Sequence, residues 1–321
     1  MTNFQVYKKT LIFSLIIFLV DLIPLGILVG AAIGGFYIAQ GGEPGSGVFG
    51  LIIGLVLGAI IGAVFNLLVT NRIKAAQIAM MTKGVADNTL PETGVVKAGF
   101  DEVHGRFAKI TVFFIVTSAI KGVFRQIGRG ITKLGSAVGG DVGGSIGSAI
   151  DSAIQTLIGY LADCCLGWVM YRKDQGVATS ACEGAVIFFK HGKTLIRNIG
   201  RIFGMGALSF LVIGGAFFGI GYLVFSQFPT LAQTIATEIA EFGEDVPAWL
   251  TNPSTVIIAA AALGGIIIWS ILHSVLIRPF ILVGVLRNFM AAGKEHMPTE
   301  EDFKELDRTS PRFAKLRSKN I

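Results

Sequence analysis

The side chains best placed to do chemistry in this sequence are polar groups inside long apolar segments. A charge at membrane depth is energetically costly, so such a group usually faces a cavity, an ion path or a partner. Asp21 lies about ten residues, roughly 15 Å, into the first apolar segment, and Pro24 is expected to kink or break the helix there. Many carriers build a substrate or ion site from an acid beside a broken helix. The candidates for a substrate or ion pathway are Asp21, Pro24, Asn66, Asp151, Asp163 and His273.

The alternative role for these groups is structural, because polar side chains also hydrogen-bond across neighbouring helices in a membrane. Asn66 is a neutral group, and His273 stands only five residues before Arg278. The structural role is therefore the expected one for Asn66 and His273. For Asp21 the pathway and the structural role are both open.

Motifs of enzymes and metal sites are weak in this sequence. GGSIG at 143–147 matches G-x-S-x-G, but a nucleophile elbow needs a strand–turn–helix context. GKT at 192–194 resembles the end of a phosphate loop, yet Ile187 stands where the first glycine is needed. The sequence has no H-E-x-x-H and no C-x-x-C, and its three cysteines are expected to be free thiols. We therefore expect no enzyme activity, no cofactor and no metal site.

Long apolar segments are the elements that must position the polar candidates. Of the 321 residues, 52% are hydrophobic and 15% are charged, against about 25% charged in an ordinary soluble domain. Four apolar segments are each longer than the roughly 20 residues that span a bilayer. Three of them contain no charged residue, and the first contains only Asp21. They predict an all-α, polytopic integral membrane helix bundle. These segments are 11–40, 46–70, 203–228 and 253–277.

The distribution of basic residues predicts the orientation in the membrane. Residues 10–71 and 202–277 contain no Lys or Arg, and the connecting segments at 41–47 and about 227–254 carry only acids. Because Lys and Arg collect on the cytoplasmic side, both termini are expected in the cytoplasm. The expected location is a plasma membrane or a bacterial inner membrane.

The middle of the chain, 109–171, leaves two arrangements open. Only 11 apolar residues separate Lys109 from Lys121, and a second apolar segment at 150–170 contains two acids. If both segments span, the chain has six spanning helices. If neither spans, they form a re-entrant or interfacial hairpin. We favour three helical hairpins, with four spanning helices in the outer two and an irregular middle hairpin.

A weak internal repeat supports the three hairpins. A basic motif precedes each hairpin. After each hairpin come a basic residue and a helical segment of mixed polar and apolar residues, as in NRIKAAQIAMMTKG at 71–84 and IRPFILVGVLRNFMAAGK at 277–294. Chance similarity between apolar segments is the alternative. The expected organisation is one membrane domain, 1–321. Its parts are 1–108, 109–202, 203–294 and a short cytoplasmic tail, 295–321.

The stretch GSAVGGDVGGSIGSAIDSAI at 135–154 places a glycine at every fourth position. Small residues at this spacing let two helix backbones approach closely in lipid. The stretch therefore favours a packed helix face, within the chain or between subunits of a homo-oligomer. A flexible loop is the alternative. The helix-packing candidates are Gly135, Gly139, Gly143 and Gly147.

Four basic residues recur at three- and four-residue spacing near 190–201, with apolar residues between them. This pattern is typical of an interfacial amphipathic helix whose bases meet anionic lipid headgroups of the cytoplasmic leaflet. Aromatic residues are too sparse among them for a nucleic-acid site, so no nucleic-acid partner is expected. The headgroup candidates are Lys190, Lys193, Arg197 and Arg201.

Three segments together resemble the C-terminal half of the choline transporter-like family: FFIVTSAIKGVFRQI at 113–127, residues 161–208, and IRPFILVGVL at 277–286. Like that family, the chain places a cysteine-rich helix end, a surface helix beginning near a Ser-Ala pair, and two final spans in this order. It lacks the family's greater length and large external loop, and its first hairpin has no counterpart there. The resemblance implies movement of choline or a related amine. It assigns no binding residue.

Two classes of function follow from the sequence. The first is a small-solute or ion transporter or channel, indicated by Asp21 and Pro24, the acids of the middle hairpin and the acidic outer segments. The second is a non-transporting scaffold or lipid-associated subunit, indicated by the glycine row and the basic surface. A carrier should lose activity in Asp21→Asn while still folding, whereas a scaffold should be nearly indifferent to it.

Overall fold

The computed structural model describes residues 1–41, 46–106, 118, 122–123, 156, 159–196, 199–241 and 247–320, without the side chains of 192–203, 316, 319 and 320. Within these ranges the regular structure is helical and contains no strand, which confirms the all-α class. The predicted glycine row at 135–147 and the candidate Asp151 lie outside the described residues. So do Arg197 and the side chains of Lys193 and Arg201.

Thirteen helices can be followed along the part of the chain that is described. In chain order they are α1 (Asn3–Ala39), α2 (Ser46–Phe65), α3 (Asn71–Ala86), α4 (Val95–Arg106), α5 (159–171), α6 (Val177–Ile196), α7 (Ile199–Ser209), α8 (Gly215–Phe225), α9 (Pro229–Glu241), α10 (Pro253–Leu272), α11 (Arg278–Glu295), α12 (Glu300–Thr309) and α13 (Pro311–Asn320). Single π-helical turns at Asn66–Thr70, Phe210–Gly214 and His273–Ile277 join α2 to α3, α7 to α8 and α10 to α11.

Four helical stretches are long and apolar enough to cross a membrane, as the sequence predicts. They are Asn3–Ala39, Ser46–Ala86, Gly204–Phe225 and Pro253–Glu295. At 37 residues, α1 is about 55 Å long, and a bilayer core is only about 30 Å thick. The helix therefore has length to spare beyond a single crossing. It also passes through Pro24 without ending, so the helix does not break there, and the kink that was the other expectation stays a prediction.

The chain divides into two compact units. The first comprises 1–13, 74–204 and 278–321, and the second comprises 14–73 and 205–277. The predicted single membrane domain stays a prediction, because compactness alone does not decide how many domains insert together.

The first unit has a well-packed interior. Trp168 of α5 is fully buried, and its ring meets Phe289 of α11 edge-on at 6.3 Å. A Cβ on Gly293 would lie 2.6 Å from the Trp168 ring, so only a glycine lets α11 approach this closely. The tail predicted at 295–321 is ordered, because α12 and α13 both pack on α6. Thr299 and Asp302 form a reciprocal capping box that starts α12.

The second unit consists of two helical hairpins, α1–α2 and α8–α10. Glycines of α2 face the backbone of α1: a Cβ on Gly54 would lie 2.7 Å from the carbonyl carbon of Ala31, and one on Gly58 would lie 2.8 Å from Leu28 Cα. In the other hairpin, a Cβ on Gly265 would lie 3.0 Å from the backbone nitrogen of Phe218. Most of the remaining surface of these helices is exposed leucine, isoleucine and valine, as expected for helices in contact with lipid.

The connection between α8 and α10 differs from the prediction. We expected a loop over about 227–254, but residues Pro229–Glu241 form the helix α9. Its alanines Ala232 and Ala236 are buried, and α9 contacts both α2 and α10. The acids Glu238 and Glu241 thus lie on a helix that packs on the hairpins.

Candidate functional site

The first polar cluster lies between α1 and the π-helical turn that ends α2. The hydroxyl of Thr70 donates a hydrogen bond to the carboxylate of Asp21 at 2.8 Å. Thr70 is fully buried and Asp21 is half-buried. Three residues after Asp21, Pro24 packs on α2, where a Cβ on Gly62 would lie 3.3 Å from Pro24 Cβ. The sequence candidates Asp21 and Pro24 therefore lie at the interface of the first hairpin.

Thr70 is the last residue of its π-helical turn, and the candidate Asn66 is the first. The backbone of a π turn carries one extra residue and leaves the regular hydrogen-bond ladder, and such turns are frequent at functional sites. Asn66 itself is exposed. The turn therefore directs Thr70, but not Asn66, towards Asp21.

A second polar cluster lies in the other hairpin, again at π-helical turns. The indole N–H of Trp269 donates to the hydroxyl oxygen of Ser209 at 3.2 Å, and the Ser209 hydroxyl donates to the carbonyl of Gly206 at 2.8 Å. The candidate His273 lies beside Trp269, with ring centroids 5.2 Å apart. Ser209 immediately precedes one π turn, and His273 begins another.

Both clusters lie near the ends of the segments that form the second unit. The first of these segments runs from Ser14 to Ile73. Asp21 lies seven residues after its start, and Thr70 lies three residues before its end. Ser209 and His273 are each four residues inside the limits of the second segment, 205–277. Each hairpin therefore carries polar groups near both ends of its segment and a π turn near its C-terminal end, and the second hairpin has a further π turn near its start.

The candidate Asp163 has a different environment. It belongs to the first unit and forms an ion pair with Arg278, at 2.5 Å between carboxylate and guanidinium. The same guanidinium lies 5.5 Å from the centre of the Tyr160 ring. Asp163 thus joins α5 to the start of α11, and its role in a pathway stays a prediction.

The headgroup candidate Lys190 also has a protein partner. Its ammonium donates to both carboxylate oxygens of Asp302, at 2.8 and 3.0 Å. Partial burial raises the pKa of Asp302, but hydrogen bonds from Lys190 and Thr299 outweigh this and lower the pKa to about 2. Contact of Lys190, Lys193, Arg197 and Arg201 with lipid stays a prediction.

A charged network around the turn between α5 and α6 was not foreseen from the sequence. Arg106 donates to the carbonyls of Val169 and Arg172, at 2.8 and 2.6 Å, and so satisfies the end of α5. Arg172 donates two 2.9 Å hydrogen bonds to Asp174, and these bonds are the main reason why the pKa of Arg172 is raised. Glu183 lies 3.4 Å from Arg172 and accepts a hydrogen bond from the Trp168 indole at 2.9 Å.

Two neighbouring cavities flank this network, both within the first unit. The larger has a volume of about 520 Å³, and the smaller about 200 Å³. They share Tyr171 and Lys173 as lining residues. No group of three or more His, Cys, Asp or Glu side chains suited to a metal ion occurs in the described ranges.

Comparison with family models, with curated proteins and with solved structures finds no match to this chain. The resemblance to the choline transporter-like family therefore remains an expectation from the sequence. The four apolar spans define an α-helical membrane protein.

Proposed function

We propose that this protein is a carrier or channel that moves a small solute or ion across its membrane. The observation that carries the proposal is the hydrogen bond from Thr70, on a π-helical turn, to the carboxylate of Asp21 inside an apolar helix. Acids in membrane helices are rare and mark substrate or ion pathways. Transporters place such groups where a helix departs from regular geometry.

The charge of Asp21 favours a cationic substrate. In the described part of the chain no Lys, Arg or His forms an ion pair with Asp21, and its hydrogen-bond donor, Thr70, is neutral. A cationic substrate would therefore meet no competing ion pair at this carboxylate within the described residues. The acids on α9, at the side we expect to be external, would raise the local concentration of cations. The family resemblance adds choline and related amines to the substrates worth testing.

The second polar cluster gives the proposed pathway a second wall. Trp269 offers an aromatic face, which attracts cations, and His273 stands beside it at 5.2 Å between ring centroids. Because both clusters lie near the ends of their segments, we propose that they bound the same end of one pathway. On the positive-inside rule that end is cytoplasmic.

The test is flux into liposomes that contain the purified full-length chain. Choline, ethanolamine, Na⁺, K⁺ and Cl⁻ form the panel. For a transported cation, Asp21→Asn should reduce flux at least tenfold and Thr70→Ser should retain it. Asp101→Asn is the matched control, because it removes an exposed carboxylate of α4 outside the second unit. Equal flux in Asp21→Asn and Asp101→Asn, or no flux of any panel member in the wild type, would overturn the proposal.

A non-transporting scaffold that assembles through glycine-rich helix packing is the second candidate. It is favoured by Gly26, Gly30 and Gly34, which recur every four residues on α1 and at which a Cβ would meet no described atom within 4 Å. Such a row suits close approach by another helix. If the scaffold is correct, Gly30→Leu should lower the oligomer mass measured by native mass spectrometry. A carrier that acts as a monomer should keep its mass and its flux in this variant.

A further inference from the structure

The larger cavity of the first unit has the dimensions of a small-molecule site. Its volume of about 520 Å³ falls within the range of roughly 300–1,000 Å³ that is usual for ligand pockets. A monatomic ion would fill only a small part of it. All its lining residues belong to the first unit, so what it binds is independent of the pathway proposed for the hairpins.

Part of the cavity wall is aromatic and apolar. Trp168, Tyr171 and Met297 line it, and the Trp168 and Tyr171 rings are 5.5 Å apart. The hydrogen bond from the Trp168 indole to Glu183 holds the ring in place. Trp168 is fully buried and supports the Tyr171 ring, so Tyr171 and Met297 provide the surface for a flat or apolar part of a ligand.

The charged part of the wall is predominantly basic. Arg172, Lys173 and Lys294 line the cavity, and Asp174 is the one acid among its lining residues. The carboxylate of Asp174 accepts two hydrogen bonds from Arg172. Arg172 is paired with Asp174 and Glu183, and Lys173 is paired with Glu102. An aromatic wall can also hold an amine through cation–π contacts, but Lys294 is the lining charge that has no carboxylate partner in the described ranges. Its positive charge favours an anion over an amine.

Lys294 is the cation best placed to bind that anion. Its ammonium donates one hydrogen bond, to the carbonyl of Ala86 at 3.0 Å, and lies 4.9 Å from the centre of the Tyr171 ring. No carboxylate pairs with it in the described ranges of the chain. A lysine ammonium has three donors, so two remain for other acceptors.

We propose that this cavity binds the phosphate group of a small phosphorylated molecule, with Lys294 as its principal contact. A phosphate presents several acceptor oxygens, and arginine and lysine are its usual protein ligands. Arg172 borders the site but is held by Asp174 and Glu183, so it contributes less. Lys173 is partly neutralised by Glu102, at 2.5 Å, and contributes less. The remainder of the ligand rests on Tyr171 and Met297.

The phosphate can come from a soluble metabolite or from a lipid headgroup, and the test separates the two. Isothermal titration of the full-length protein in a neutral detergent uses three probes: glycerol 3-phosphate, dihexanoyl phosphatidic acid and choline. Lys294→Gln removes the charge and keeps an N–H donor on a slightly shorter side chain. Lys304→Gln is the matched control, because Lys304 is an exposed lysine of the same unit that does not line the cavity. Lys294→Arg tests rescue by charge.

We expect Lys294→Gln to weaken binding of the phosphate probes about tenfold or more, while Lys304→Gln and Lys294→Arg stay near the wild type. Binding of both phosphate probes identifies a soluble ligand, and binding of the lipid probe alone identifies a headgroup; either result supports the proposal. Equal affinity in Lys294→Gln and Lys304→Gln overturns it. So does binding of choline without binding of either phosphate probe, since that would mean that the aromatic wall and not the charge selects the ligand.

Discussion

The contact between α1 and α2 yields the sharpest prediction for stability. A Cβ on Gly54 would lie 2.7 Å from the carbonyl carbon of Ala31 and closer still to its oxygen. These are backbone atoms, so no flexible side chain can move aside, and Gly54→Ala forces the two helices apart. Gly30, on α1, provides the matched control, because a Cβ there would meet nothing described within 4 Å.

The expected difference follows from two opposing effects of alanine. Overpacking a well-packed contact costs about 1–3 kcal/mol. Replacing a helical glycine by alanine gains roughly 0.5–1 kcal/mol in either position. Gly30→Ala keeps the gain alone, whereas Gly54→Ala bears the overpacking as well. The stabilities of the two variants should therefore differ by about 1–3 kcal/mol, the size of the overpacking cost, with Gly54→Ala the less stable.

Thermal unfolding in detergent, followed by the fraction of protein that remains monodisperse, measures this difference. Gly54→Ala should melt several degrees below wild type, and Gly30→Ala at or slightly above it. Gly50→Ala is a second member of the damaging class, since its Cβ would lie 2.6 Å from the Cβ of Ala39. If Gly54→Ala and Gly30→Ala have the same melting temperature, α1 and α2 do not pack through the glycine row of α2, and the reasoning fails.

Two further predictions concern the first unit. Asp163→Asn leaves the Arg278 guanidinium without its counter-ion. It should lower the free energy of unfolding by about 1.5–3 kcal/mol, the range for hydrogen bonds to charged groups. Thermal unfolding measures this loss, and a melting temperature equal to wild type would contradict it. The pKa of Asp302 is about 2 in the folded protein, against an ordinary value of 3.8. The ionised carboxylate therefore contributes its full stabilisation of the fold above about pH 4, and this contribution is lost as the pH falls through about 2. Acid unfolding followed by circular dichroism should therefore begin at higher pH in Asp302→Asn than in wild type; coincident acid transitions would show that the pair with Lys190 adds no stability.

Several features of this protein could be predicted from the sequence because they depend on composition. The four spans are recognisable because about 20 apolar residues without charge have one stable environment, the bilayer. Asp21 could be singled out for the converse reason, since a charge in such a segment needs a partner. The sequence did not reveal that this partner is Thr70, because the two residues are 49 positions apart and many hydroxyl groups were equally eligible.

The tertiary structure decided which glycines pack. Gly26, Gly30 and Gly34 on α1 have the same four-residue spacing as Gly50, Gly54 and Gly58 on α2, yet a Cβ would be unobstructed in the first row and would strike α1 in the second. Spacing defines a face of a helix, but only the position of the neighbouring helix decides whether that face is occupied. The same holds for Pro24, which lies inside the continuous helix α1 and faces Gly62 of α2.

The cavity of the first unit shows the limit of sequence reasoning most clearly. Tyr171 and Lys294 are 123 positions apart, and neither belongs to a recognisable motif. Each alone would be taken for an ordinary residue at a helix end. Their 4.9 Å approach results from the packing of α5 against α11, which depends on the fit of Trp168 over Gly293. Composition determines that this chain enters a membrane, because the free energy of transferring apolar residues out of water is a sum over those residues. The cavity depends on which side chains meet, and only the packed structure determines that.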